Sequence, residues 1–150
     1  MGTFSATIKD WAAKSEEEVT TSIRKAVEDT VNEIGRPLVA GGAMPVDTGF
    51  LRNSMAAEIG GDGSFATVKP KFKGDKGSGA ETIGLVIEGM EAGAVVNVAW
   101  TAAYAARVNY GFTGQDSLGR NYNQGGAHFF ETGAAKWPDF VDRAVKRNAK

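Results

Sequence analysis

The chain has no cysteine. That removes disulfides, thiolate metal sites and a cysteine nucleophile together, and it fits a reducing compartment. Histidine is nearly absent too. His128 is the only one, and its setting, GGAHFFETG, matches neither a nucleophile elbow nor a zinc spacing. His128 therefore reads as a structural or surface residue. No apolar run reaches the length of a membrane span or a secretory leader, and Ala6 stands where N-myristoylation takes Ser or Thr. An excess of one charge is missing as well: 17 basic and 18 acidic residues leave −1. That balance speaks against a general nucleic-acid or membrane binder. No glycine cluster spells GxGxxG or GxxxxGK, so no nucleotide site and no cofactor are expected.

What the chain does have is glycine, 20 residues, most of them between Gly35 and Gly126. They predict long, pliable loops. A chain of 150 residues, 42% of them hydrophobic, is about one domain with a modest core. Phe4, Ile8, Trp11, Val19, Ile23, Val27 and Ile34 recur at helical spacing. They predict one long amphipathic helix over 3–34, capped by Thr3 or Ser5 and stopped by Gly35, Arg36 and Pro37. Such a helix either lies across its own sheet or runs on to a partner.

Residues 38–44 read as a glycine-rich connector and 56–59 as a short strand. Residues 60–82 read as a mobile hairpin or an unstructured loop. The strongest strand patterns are 83–87 and 94–100, joined by a turn over 88–93. Residues 101–110 suggest a helical turn, and 111–126 a second polar loop. Helical spacing returns over 131–148, with Pro138 in the first turn of a helix that begins near Trp137. The fold class expected is α+β: a small antiparallel sheet packed against a long N-terminal helix and a C-terminal helix, with long Gly-rich loops at 60–82 and 111–126 in a single domain, 1–150. There is no βαβ alternation, so a Rossmann fold is not expected.

Asp47, Thr48 and Gly49 form the triplet that carries the catalytic aspartate of pepsin-like and retroviral proteases. Its context differs here. An aspartic protease needs two carboxylates sharing one proton in a rigid turn after an apolar strand. In this chain AGGA and Met44-Pro45 precede the triplet, a poor strand, and bulky Phe50 follows it. The stretch reads better as structure. Pro45 stiffens the approach, Asp47 or Thr48 caps a short helical turn, Gly49 permits close packing, and Phe50, Leu51 and Met55 face inward while Arg52 and Asn53 face out. Lys69, Lys71, Lys73 and Lys76 with Phe72 form a local basic run that either touches a phosphate backbone or is a solvated loop diluted by Asp62, Asp75 and Glu81. Trp11, Trp100 and Trp137 read as core or interface anchors.

Three blocks taken in order carry a resemblance. They are PVDTGFLRNS (45–54), YAARVNYG (104–111) and AHFFETGAA (127–135), the last opening a C-terminal helix. After a long N-terminal helix, they resemble the head–tail joining family of long-tailed bacteriophages, the neck, tail-completion or minor tail proteins. The first block is the closest match and the third the loosest. Asn109 stands where the family usually has an acid, so an ion pair to Arg52 would be lost or become a neutral hydrogen bond, and 128–130 lacks the family's frequent proline.

The resemblance implies a non-enzymatic virion protein, located at the neck or tail and in the host cytoplasm during assembly. It would be a subunit of a homo-oligomeric ring of roughly six or twelve copies, the symmetries such junctions use. Its partners would be head connector or head-closure proteins on one side and tail terminator or tail tube proteins on the other, with passive DNA contact in the channel and no membrane. Pro45, Val46, Asp47, Thr48, Gly49, Leu51, Arg52 and Ser54 would fix the fold. The candidate interface is Trp11, Tyr104, Val108, Asn109, Tyr110, Gly111, Phe112, His128, Phe129 and Phe130, and both loops would become ordered on assembly. The alternative readings are a tail terminator capping the tube and an aspartic-type protease using Asp47.

Overall fold

The computed structural model describes the backbone of residues 4–149 and the side chains of residues 9–149. The expected cap Thr3 lies outside the described residues, as do the side chains of Phe4, Ser5 and Ile8. The fold is α+β. Helix α1, Phe4–Ile34, has 31 residues, a rod of about 46 Å. It ends where Gly35, Arg36 and Pro37 follow, as their backbone preferences require. The chain then makes a 3-10 turn, Leu38–Ala40, closed by a bridge between Pro37 and Met44. Met44 is fully buried, so this connector plugs the core rather than hanging free.

Helix α2, Phe50–Asn53, leads directly into strand β1, Met55–Ile59, as the capped-turn reading expects. Strand β2, Val96–Trp100, pairs with it antiparallel, from Met55 opposite Trp100 to Ile59 opposite Val96. Helix α4, Ala105–Tyr110, occupies the expected helical turn. The C-terminal part holds α5, Phe129–Ala134, and α6, Trp137–Asn148, with Pro138 in the first turn of α6 as predicted.

Two expectations are corrected. Residues 83–87 do not form a strand. They lie in helix α3, Ala80–Glu88, which packs on β1 and α1. Ile83, Ile87 and Met90 are buried while Gly84 and Leu85 are exposed. That spacing of four and three is helical, and it outweighs the β-branched composition that suggested a strand. Nor is 111–126 an irregular loop. It forms a two-stranded ribbon, β3 Gly111–Gln115 and β4 Asn121–Gly125. The Asp116 carboxylate ties its tip together, accepting from the backbone N–H of Leu118 and Arg120 (both 2.9 Å), from Arg120 Nε (2.6 Å) and from the Tyr122 hydroxyl (3.2 Å). These bonds hold the Asp116 carboxyl below the usual range, the Arg120 backbone bond being the largest cause.

The main core joins the C-terminal half of α1, through Val31 and Ile34, to Phe50, Leu51, Ile83 and Trp100. A second, smaller contact sets Ala26 of α1 against Phe140 and Ala144 of α6. At the turn between α5 and α6, Lys136 and Arg36 both pair with Glu33. Burial alone would push the Glu33 carboxyl up, but the two cations outweigh it and hold the carboxyl low. Helix α1 packs chiefly on α6, α5 and α3. Its C-terminal half is packed on its own domain. Among the described side chains nearer its N-terminus, Trp11 is 67% and Val19 54% exposed.

Candidate functional site

The three sequence blocks, up to 90 residues apart in the chain, converge on β2. The first is held by Ser54, whose side chain is buried. Its hydroxyl donates to the Leu51 carbonyl (2.8 Å) and accepts from the Ala102 N–H (3.1 Å). Thr101 returns the link, its hydroxyl donating to the Ser54 carbonyl at 2.8 Å. Ser54 thereby closes α2 and fixes the crossing from β2 toward α4. We expect Ser54→Ala to cost about 1–3 kcal/mol, because it strands the buried Ala102 N–H. A fall in the urea midpoint with an unchanged slope is the check.

Within the same block, Gly49 has φ 92°. It is needed for that left-handed turn rather than for close packing, since a Cβ there would meet only the Asn53 side chain at 3.9 Å. Thr48 supplies the expected cap contact, its hydroxyl oxygen accepting from the Phe50 N–H at 3.3 Å. Asp47 and Val46 are exposed, Pro45 is half-buried, and Leu51 is buried. Arg52 is exposed, its stem lying beside Gly35.

The first and second blocks meet where the Phe50 and Tyr104 rings lie 6.3 Å apart. Pro45, Asp47, Leu51, Tyr104 and Val108 line a shallow cleft there. Burial pushes the Tyr104 phenol up, and the Asp47 charge adds to the rise, against a hydrogen bond to Leu51 backbone that lowers it.

The second and third blocks are joined by Asn109. Its amide nitrogen donates to both oxygens of Glu131 (2.9 and 2.8 Å), and its amide oxygen accepts from the Phe130 N–H (3.1 Å). Backbone bonds from Ala127 to Val108 and from His128 to Asn109 complete the seam. The Asn109 amide is the largest cause holding the Glu131 carboxyl below its ordinary range. Asn109 does not bond to Arg52. The carboxylate that Asn109 meets is that of Glu131 in the third block.

Trp100 anchors the convergence. Phe129 and Phe130 stack edge-on against it at 6.3 and 6.1 Å. Two expected interface residues are therefore corrected: Asn109 (4% exposed) and Phe129 (2%) lie in the interior. Tyr104 and Val108 are half-buried, while Gly111 and Phe112 open the ribbon, with Arg107 stacked 4.0 Å over the Phe112 ring. Trp11, Tyr110, His128 and Phe130 remain exposed. His128, at φ 49°, is the one residue other than glycine with positive φ among the described residues. Sequence reasoning had Glu131 inside the third block and Trp100 as a core or interface anchor, but it did not pair Glu131 with Asn109 or Trp100 with Phe129 and Phe130.

Among the described residues no group of three or more His, Asp or Glu side chains is placed to hold a metal ion. None of their helices is long and apolar enough to cross a membrane. No protein-family model, curated protein or solved structure matches the chain.

Proposed function

We propose that this chain is a structural subunit of a ring at a bacteriophage head–tail junction, joining the head connector to the tail tube. The observation that carries the reading is the convergence of the three blocks that resemble that family. Serine, asparagine and aromatic contacts bind them into one unit around Trp100. The periphery suits assembly as well. A projecting half-helix, an ordered polar ribbon and scattered exposed aromatics surround a small core, and such features gain burial when copies repeat around an axis.

Complementation tests the reading. Purified chain added to a lysate of filled heads and separate tails should restore joined particles, and an unrelated protein should not. A tail terminator is the second reading within this class, and it predicts tubes of uncontrolled length when the chain is missing.

The aspartic-protease reading rests on Asp47 alone. That carboxylate is exposed on a bend before α2 rather than held after a strand. Asp47→Asn should leave joining intact and thermal stability within about 0.5 kcal/mol, the usual range for exposed sites. Loss of a peptidase activity in the Asn variant, with the fold retained, is the result that favours the enzyme.

A further inference from the structure

One dipeptide in the chain is chemically less durable than the rest. Asp62-Gly63 is its single Asp-Gly pair, and the chain has no Asn-Gly pair. Asp-Gly is the aspartyl sequence most open to isomerisation, because glycine has no side chain to keep its nitrogen from the preceding carboxyl. The pair sits in an exposed stretch, residues 60–64, that leaves the end of β1. Gly60, Gly61 and Gly63 there have φ of 73°, 70° and 74°.

The stretch is nevertheless closely tied. Glu58 of β1 turns its carboxylate back over it. Glu58 Oε1 accepts from the Gly63 N–H at 2.8 Å, and the same carboxylate leaves no room for a Cβ on Gly61. Asn97, opposite Glu58 in the ladder, donates from Nδ2 to the Gly60 carbonyl at 2.9 Å. Asp62 Oδ1 accepts from the Ser64 N–H, also at 2.9 Å. That backbone bond is the largest cause holding the Asp62 carboxyl below its ordinary range. An ionised carboxylate is the poorer electrophile, so this bond slows attack on Asp62 as well.

We propose that Asp62-Gly63 is the chain's site of isoaspartate formation, a covalent modification of its own backbone, and that Glu58 restrains it in the folded state. In the reaction the Gly63 nitrogen attacks Cγ of the protonated Asp62 carboxyl. A C–N bond forms, the Gly63 amide proton and the carboxyl hydroxyl leave as water, and a five-membered succinimide results. Water then adds across one of the two ring carbonyls and opens the ring to aspartate or to isoaspartate. No oxidant or other reactant enters, and the mass is unchanged. Turning the Gly63 nitrogen toward Cγ swings the 62–63 peptide plane and breaks its bond to Glu58. The reaction therefore runs through a locally opened loop. The isoaspartyl product carries one more backbone atom between β1 and the bridge of Val68 to Ala102. This inference is independent of the ring reading.

Ageing of the purified chain tests it. Folded wild type, Glu58→Ala, Glu58→Gln and Asp62→Glu are incubated side by side at mildly acidic pH, with wild type in urea as the unfolded reference. Isoaspartate is counted by enzymatic methyl transfer to its free α-carboxyl and located by peptide mapping, and circular dichroism checks each fold. Folded wild type should react more slowly than the unfolded chain. Loss of a hydrogen bond to a charged acceptor should raise the rate in Glu58→Ala roughly tenfold. Glu58→Gln keeps an acceptor oxygen and should stay near wild type, and Asp62→Glu should lose the label. Folded wild type that reacts as fast as the unfolded chain overturns the proposal. So does a Glu58→Ala rate at or below that of wild type, the slower rate making Glu58 a general base for the attack. Label that persists in Asp62→Glu places the site elsewhere and overturns it too.

Discussion

Gly133→Ala should lower the melting temperature by roughly 2–12 °C, from an overpacking cost of about 1–3 kcal/mol at ~2–4 °C per kcal/mol for a chain of this size. Gly133 lies where α5 crosses the end of α1. A Cβ there would stand 2.5 Å from Ile34 Cγ1, 2.6 Å from Ile34 Cα and 2.7 Å from Ile34 N. Two of these are backbone atoms in the last turn of α1, so a rotamer change cannot relieve the clash. Rigid separation of the helices is resisted as well, because Glu33 is clamped by Arg36 and Lys136 one residue away. The third sequence block is therefore docked on α1 through the absence of a side chain. Gly84→Ala is the control. Gly84 sits in α3 with open space around it, and the change should be neutral or stabilising by up to about 1 kcal/mol. Equal melting of the Gly133 variant and wild type would mean that α5 and α1 are not in this contact.

Asn109→Asp should destabilise the chain at neutral pH, and the deficit should shrink as the solution is acidified. The variant keeps the oxygen that accepts from the Phe130 N–H, but it replaces the amide donor with a second carboxylate oxygen facing Glu131. Two carboxylates at that spacing cannot both ionise without penalty, so one takes up a proton and its folded pKa rises above the unfolded value. A raised acid pKa favours the folded state at low pH and loses that advantage as pH rises through the folded value. Wild type runs the other way. Glu131 is held low by the Asn109 amide, so its contribution is present above the ordinary carboxylate pKa and is lost as pH falls through the folded value. Melting curves from about pH 3.5 to pH 7.5 should therefore show the gap between the two proteins widening with pH. A gap that is constant across this range would contradict the Asn109–Glu131 pairing.

These two positions also mark what the sequence could and could not reveal. The first helix and its stop at Gly35 were legible because 3.6-residue spacing and a Gly-Arg-Pro break are local signals. So were the start of α6 at Trp137 and Pro138 and the strand ending at Trp100. The 45–55 block was readable as a short turn of helix entering a strand for the same reason. Helix α3 was not legible. Ile83, Val86 and Ile87 have the composition of a strand, and only burial on α1 and β1 selects the helical face. The ribbon at 111–125 carries no apolar alternation. Its register comes from a backbone ladder and from Asp116 gathering its own turn, neither of which leaves a hydrophobic period.

At the candidate site, the roles of the named residues were not separable from the sequence. Whether Asn109 and Phe129 face a partner or the core depends on where Trp100 and Glu131 arrive from elsewhere in the chain. Periodicity in a single segment does not carry that information.

Electron microscopy of a lysate from a phage whose copy of this gene carries an early stop codon tests the central claim most directly. The proposed function predicts filled heads and tails of normal length lying unjoined, with joined particles restored when the chain is supplied in trans. Normal joined particles in the absence of the chain would contradict it.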